Sequence, residues 1–306
     1  MKKIGVIVNP NAKKVRKGRV SIDDFLKMKS DFVDVRITKT LDEIDGVLQE
    51  FKRNGIDYIG ITGGDGSLHH VITRMIRIYH PVPLPGILIL KGGTMDNVAK
   101  SIGLRGKGGA ILKRMIKTIK KGKEPAVFRR DTMEIEGRYC FLFGNGFTAN
   151  FLNEVYKYEK GIVSNARVVF KAISHAFNEP AEGSLYKGIH GTVTVDGEVV
   201  GFNYITAILA GTVENISRGI TPLKLANKKE RTFHAIISGF SGKQILARIY
   251  FLLGITIRHP LMKSGLFTGL SIDTKEGFDY TMDGDMYHSP GALRVELGPE
   301  VHLVKV

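Results

Sequence analysis

The chain has 306 residues, with 45 Lys and Arg against 30 Asp and Glu (net charge +15), 43% hydrophobic residues, one cysteine and no tryptophan. That length and apolar content suffice for two ordinary cores. A single cysteine, Cys140, excludes an intrachain disulfide and a cysteine metal cluster, and no apolar run reaches the roughly 18 residues of a membrane span.

The first apolar run, Ile4–Val8, predicts a strand and is too short for the h-region of a secretory signal, so a cytoplasmic protein is expected. A polar, basic stretch from Asn11 to Arg19 reads as a loop. Val33, Val35 and Ile37 alternate as a second strand, and Leu41, Ile44, Val47, Leu48 and Phe51 recur at helical spacing. A third strand, Tyr58–Thr62, runs into Gly63-Gly64-Asp65-Gly66-Ser67, and a helical pattern follows at once (Leu68, Val71, Ile72, Met75, Ile76, Tyr79). Pro81, Pro83 and Pro85 break the chain before the apolar run 87–90. A second glycine loop, Gly92-Gly93-Thr94, leads into a short helix.

From Arg105 to Arg130 there are ten basic residues and one acidic one, Glu124. Ile111, Leu112, Met115, Ile116 and Ile119 share a helical face there, with Lys113, Arg114, Lys117, Lys120 and Lys121 mostly opposite. Such a face is a solvated helix surface or a contact for an anionic membrane. Without tryptophan or an RNP-type aromatic pattern, nucleic acid is not an expected partner.

Strands alternating with amphipathic helices predict an α/β N-terminal domain with a mainly parallel, doubly wound sheet. Both glycine loops fall at carboxyl ends of its strands, where such sheets bind ligands. From about Pro125 strands dominate: 132–136, 139–143, 191–195, 198–202, 204–209, 232–238, 269–273 and 278–282. Helical patterns over 166–177 and 243–253 interrupt them. This predicts a second, β-rich domain over 126–291, after an α/β domain over 1–125. Residues 292–306 read as two short strands that could return to either domain.

Glycines let a backbone turn sharply and approach a ligand without a Cβ in the way. Free N–H groups of Gly64, Gly66 and Ser67 at a helix start favour phosphate, and the Ser67 hydroxyl adds a donor. Asp65 would repel phosphate directly, but it suits a metal-bound water or a ribose hydroxyl beside one. The plain alternative is a tight strand-to-helix turn.

Four segments then occur in order: Asn9-Pro10-Asn11-Ala12, Gly63-Gly64-Asp65-Gly66-Ser67, Gly92-Gly93-Thr94-Met95-Asp96-Asn97 and Met282-Asp283-Gly284-Asp285. With these the chain resembles the diacylglycerol kinase catalytic-domain family, the bacterial lipid kinases and their sphingosine kinase relatives. The resemblance runs nearly end to end. Gly144-Asn145-Gly146-Phe147-Thr148-Ala149, the stretch from Lys243 to Met262 and the segment from Gly291 to Val295 fall where similar stretches occur in that family.

It implies an NAD kinase/diacylglycerol kinase-like fold with a β-sandwich as second domain, residues 292–306 completing the first, and ATP with Mg²⁺ as cofactors. On this resemblance Asn9, Gly63, Gly64, Asp65, Gly66, Ser67, Gly93 and Thr94 would bind the nucleotide. Asp283 would be the base that accepts the proton of the attacking hydroxyl, and Asp285 its helper. Asp65 and Asp285 would face Mg²⁺.

Asp196-Gly197-Glu198 matches the family's Asp-Gly-Glu more closely than 283–285 does, but it lies too early in the order and reads as a hairpin turn. The chain departs from the family's pattern at Ser67 (Thr), Asp285 (Glu), Met95-Asp96-Asn97 (Gly-Asn-Asp) and His69-His70 (a polar residue, then Glu). Of the two histidines, one is expected at the surface and the other lining the site.

The function this implies is phosphorylation of a hydroxyl of a diacylglycerol-like or long-chain lipid at the cytoplasmic membrane face. Its partners would be that lipid and an anionic membrane surface, with a homodimer as an allowed assembly. Apolar residues from Ile245 to Ile257 would line an acyl cleft or form ordinary core. The alternatives are a kinase of a soluble substrate on the same fold, NAD kinase-like, and a nucleotide- or lipid-binding regulator with weak catalysis.

Overall fold

The computed structural model describes residues 1–93, 96–157, 162–178, 183–216, 220–255 and 257–306. The chain forms two compact units. The first comprises Met1–Thr132, Gly137–Tyr139 and Pro299–Val306, the second Met133–Glu136 and Cys140–Gly298.

The first unit is α/β. In chain order it holds β1 (Ile4–Val8), α1 (Lys13–Arg16), α2 (Ile22–Leu26), β2 (Val33–Ile37), α3 (Leu41–Arg53), β3 (Tyr58–Thr62), α4 (Asp65–Tyr79), β4 (Gly86–Ile89), α5 (Asn97–Ser101) and α6 (Gly108–Lys120). Its strands run β2-β1-β3-β4 and are parallel, and Leu303 of the last strand pairs in parallel with Ile87. β1 and β3 are buried at every position, as a central parallel strand covered on both faces must be. At the edge, β2 alternates buried and partly exposed residues. α3 is a well-signalled helix. Thr40 caps it by accepting from the Glu43 N–H, with Asp42 and Glu43 in its first turn and Lys52 and Arg53 in its last. Part of the basic loop expected before residue 19 is the short helix α1.

The second unit is β-rich. Following β5 (Ala126–Ile135) and β6 (Arg138–Cys140), which straddle the two units in sequence, come β7 (Leu142–Gly146), α7 (Phe147–Lys157), α8 (Ile162–Phe177), β8 (Ile189–Val195), β9 (Glu198–Val199), β10 (Tyr204–Ile205), β11 (Ala207–Gly211), β12 (Phe233–Ser238) and α9 (Gly242–Ala247). A 3₁₀ segment, Ile249–Leu253, then leads to β13 (Met262–Phe267), β14 (Gly269–Thr274), β15 (Phe278–Met282), β16 (Asp285–Ser289) and β17 (Ala292–Lys305). One antiparallel sheet runs β13-β12-β11-β7-β15-β16, and β10-β8-β14-β17 forms the other layer. Phe143, Ile208, Phe233, Ile237 and Tyr280 from the first sheet pack with Val193, Ile272, Leu293 and Val295 from the second in one buried cluster, a β-sandwich core.

Several segments differ from the sequence expectation: β13 and β16 were not expected, the strand over 198–202 stops at Val199, and the one over 204–209 breaks at Thr206. The strand expected over 139–143 breaks at Phe141, because the Phe141 and Leu142 N–H groups donate to the Asp283 carboxylate. Phe147–Lys157 is a helix that was not expected, although Phe147, Phe151 and Val155 recur every four residues in it and Phe147 and Phe151 pack on the cluster around Tyr186. The single helix expected over 243–253 is two pieces. α9 stops at Ala247, Arg248 leaves helical geometry, and Gly254 at φ 76° ends the 3₁₀ turn. Residues 292–306 form one 14-residue strand rather than two short ones, and its two ends belong to different units.

Candidate functional site

The first unit gathers its polar residues at the carboxyl ends of its strands. Asn9 follows β1, Thr38 follows β2, Gly63 follows β3 and Gly92 follows β4. The two glycine loops are packed backbone against backbone. A Cβ on Gly93 would stand 2.2 Å from the Gly64 Cα, and one on Gly92 would stand 2.7 Å from the Gly63 N. The Gly92 N–H donates to the Gly63 carbonyl at 2.7 Å. These glycines therefore serve first the contact between loops, and only then any ligand.

α4 starts directly at Asp65. Its N-cap, Gly64, supplies no side-chain cap, and the first intrahelical bond runs from the Leu68 N–H to the Gly64 carbonyl. The N–H groups of Asp65, Gly66 and Ser67 thus have no intrahelical acceptor, and they sit at the positive end of a 15-residue helix. Asn9 donates from Nδ2 to Ser67 Oγ at 2.9 Å and accepts the Asn11 N–H at 2.8 Å. Accepting from Asn9 leaves the Ser67 hydroxyl proton available for another acceptor.

Two carboxylates lie beside the loops. Asp65 accepts the Asn97 N–H at 3.0 Å, so it ties the first loop to the start of α5. Burial pushes its pKa up to about 6. Asp96 adds to that rise, while the Asn97 and Val98 N–H groups and Lys100 oppose it. Asp96 is buried at φ 48°, a backbone region that Asp and Asn enter more readily than most residues. Its Oδ1 accepts the Gly93 N–H at 3.2 Å, and its Oδ2 pairs with Lys14 Nζ at 2.6 Å. Lys14 is held in place by its own N–H, which donates to the Gly92 carbonyl at 3.0 Å.

A cavity of about 190 Å³ opens beside this arrangement, lined by Asn9, Thr38, Thr62, Ser67 and His70 among others. The hydroxyls of Thr38 and Thr62 are buried there without a hydrogen-bond partner among the described residues. A larger hollow of about 330 Å³ lies at the opposite, amino ends of the strands, around Asp57, Tyr58, Pro85 and Gly86, away from both glycine loops. The histidine expectation is half right. His70 lines the smaller cavity, but His69 is buried at 1% exposure with Nδ1 2.7 Å from the Tyr139 carbonyl, a core residue rather than a surface one. Thr94 and Met95 lie outside the described residues.

In the second unit, Asp283-Gly284 closes the β15–β16 hairpin, with Met282 paired to Asp285 and φ of 48° and 97° at the turn residues. This is the two-residue turn with positive φ at both positions that Asp-Gly favours. Asp283 is 8% exposed. Its Oδ1 accepts the Leu142 N–H at 2.9 Å, and Oδ2 accepts from Phe141 at 3.1 Å. Tyr156 of α7 donates to the Gly284 carbonyl at 2.6 Å, and Glu154, one turn-face away, pairs with Lys171 of α8 at 2.7 Å. Asp285 is the first residue of β16.

Lys14, Asp96 and Tyr156 were missed as working parts by the sequence reading. Lys14 is one of several cations in a basic run, so no local signal separates it from Lys13 or Lys17. Tyr156 lies in α7, a helix that was not expected.

Two glycine loops are thus locked together beside a carboxylate and a lysine–aspartate pair, at the carboxyl ends of a parallel sheet. Residues 3–125 match the family model of the diacylglycerol kinase catalytic domain. No curated protein matches the sequence. The fold of the whole chain is similar to solved structures from Bacillus anthracis str. Sterne. A diacylglycerol kinase there is 16% identical at a TM-score of 0.66, with 100% of this chain and 97% of that one covered. A candidate diacylglycerol kinase of the same organism is 17% identical at a TM-score of 0.72, with the same coverage. The matched residues 3–125 include Asn9, both glycine loops, Asp65, Asp96 and Lys14. Match and fold together support a kinase, and neither says what accepts the phosphoryl group. Among the described residues no helix is long and apolar enough to cross a membrane.

Proposed function

We propose that this protein is an ATP- and Mg²⁺-dependent kinase that phosphorylates the primary hydroxyl of a diacylglycerol-like or long-chain lipid at an anionic membrane surface. The observation that carries the reading is the interlocked pair of glycine loops beside Asp65 and the Lys14–Asp96 pair.

The residues present fit a nucleotide. The uncapped start of α4 offers N–H groups to phosphate, and the Ser67 proton adds a donor. The Thr38 and Thr62 hydroxyls give the adjoining cavity polar groups that still lack partners among the described residues. A divalent cation fits Asp65, whose charged form is disfavoured by burial and by Asp96 and would gain from a positive neighbour. Asp96 is already neutralised by Lys14. When bound, Mg²⁺ would offset the negative charge that builds on the transferred phosphoryl group.

Asp283 is proposed as the base. The Phe141 and Leu142 N–H groups fix the orientation of its carboxylate. It would take the proton of the acceptor hydroxyl as that oxygen bonds to the γ-phosphorus and the bond to the ADP leaving oxygen breaks. Asp285 is the proposed second carboxylate, and Tyr156 holds the turn through Gly284.

The test supplies γ-labelled ATP and Mg²⁺ with diacylglycerol in mixed micelles, or with soluble alcohols and NAD in parallel. A labelled lipid product is expected. Label in a soluble acceptor alone removes the lipid assignment, and label in no acceptor despite ATP binding points to a regulator.

A further inference from the structure

We propose that the second unit docks on an anionic phospholipid bilayer through the outer face of α8 and the Ile249–Ile255 stretch that follows α9. The proposal deepens the lipid-kinase reading and rests on it.

α8 is apolar on two sides. Ala172 and Ala176 face inward and pack with Leu185, Tyr186, Phe240 and Ile245. On the other side Val169, Phe170, Ile173 and Phe177 stay exposed, Phe170 at 73%. Their spacing of three and four residues puts them on one face. A helix that is apolar all round is ordinarily covered on both sides. The 3₁₀ segment repeats the pattern, with Ile249, Leu253 (55% exposed) and Ile255 uncovered. Lys243 of α9 places its Nζ 5.8 Å from the centre of the Phe177 ring, next to the α8 face. The aliphatic carbons of Lys224 lie against Gly254 at the other strip.

Charge decides between occupants. The chain has 30 acids in 306 residues, yet none falls from Gly161 to Asn178, and none lies between Glu230 and Asp273. Those stretches carry Arg167, Arg231, Lys243, Arg248 and Arg258, besides Lys171 and Lys263, which pair with Glu154 and Glu198. A second copy docking by the same face would oppose cation to cation. An anionic bilayer offers negative headgroups to the lysines and arginines and acyl chains to the phenylalanines and leucines, so it matches both features. The basic helix α6 does not offer this combination. Its apolar residues Ile111, Leu112, Met115 and Ile119 are buried in the first unit, which leaves only charge outside.

The experiment sediments the full chain with vesicles of phosphatidylcholine alone or mixed with phosphatidylglycerol, without ATP. The double variants Phe170→Ser/Ile173→Ser and Ile249→Ser/Leu253→Ser are compared with the parent, and melting curves verify folding. Binding to the mixed vesicles is expected, about tenfold weaker or more in each double variant and on phosphatidylcholine alone. Phosphorylation of micelle-dispersed diacylglycerol, read separately, should persist in the Phe170→Ser/Ile173→Ser variant. Vesicle binding unchanged in both variants overturns the proposal, and so does a change from dimer to monomer with vesicle binding intact. Vesicle binding that fails in the variants while no lipid is phosphorylated sinks the kinase reading and leaves the surface standing.

Discussion

Two Asp-Gly dipeptides in the second unit close two-residue hairpins, Asp196-Gly197 between β8 and β9 and Asp283-Gly284 between β15 and β16. Their aspartates share φ 48°, and the glycines follow at 86° and 97°. In each case the carboxylate reaches across to a bend in another segment. Asp196 accepts the Thr268 and Gly269 N–H groups, and Asp283 those of Phe141 and Leu142. The difference lies in the surroundings. Asp196 is exposed, and a Cβ on Gly197 would meet nothing within 4 Å. Asp283 is buried, and its turn is gripped by Tyr156, whose hydroxyl would lie 3.2 Å from a Cβ on Gly284. Turn formation and turn function are thus separable. The dipeptide makes the hairpin in both places, and enclosure marks the one proposed for catalysis.

Matched substitutions test that separation. Asp283→Asn should lower labelled-phosphate transfer by about 10²–10⁴-fold. Asp196→Asn should leave turnover unchanged, while each substitution lowers stability by about 1 kcal/mol in urea unfolding through its weakened turn. Equal losses of activity at both positions would show that the fold, not the base, was damaged.

Alanine at the glycines sharpens the contrast in stability. Gly197→Ala should cost about 1–2 kcal/mol for the left-handed backbone alone. Gly284→Ala should cost more, since Tyr156 must also give way. Tyr156→Phe removes one hydrogen bond and should cost about 1 kcal/mol. It should also lower kcat with the KM for ATP unchanged, an effect with no counterpart at the Asp196 turn.

The smallest effects are in pH. For Asp196, burial raises the carboxyl's pKa but the Thr268 hydroxyl and the Thr268 and Gly269 N–H groups outweigh it, so the net value lies below 3.8. Its stabilisation is therefore present above pH 3.8 and lost as pH falls through its folded value. Asp65 has the opposite sign. Burial raises its folded value from 3.8 to about 6, so the native state holds the proton more tightly and stability falls as pH rises between those values. Asp65→Asn should melt higher than the parent at pH 8, with the gap closing towards pH 4. A gap that widens towards acid would contradict the burial argument.

Much of the scaffold was legible in the order of residues. β1, β2, β3 and β15 lie where alternation or apolar runs placed them, because each is bounded by a turn residue and buried in a regular pattern. α7 was missed although Phe147, Phe151 and Val155 recur in it at helical spacing; its buried Glu154 found partners in Lys157 and in Lys171 of the next helix. The apolar run from Ile245 to Ile257 was legible as apolar and no further. Ile245 entered a core while Ile249, Leu253 and Ile255 were left outside, and no property of the run itself separates them.

By itself the amino-acid order determined the strand–helix alternation, the two glycine loops and the two Asp-Gly hairpins, since each depends on backbone preferences within a few residues. Only the tertiary structure chose Lys14 for Asp96, Asn9 for Ser67 and Asp283 for the Phe141 bend. These partners stand 82, 58 and 142 residues apart. Contacts across such distances are set by how helices and strands pack, which no local pattern encodes.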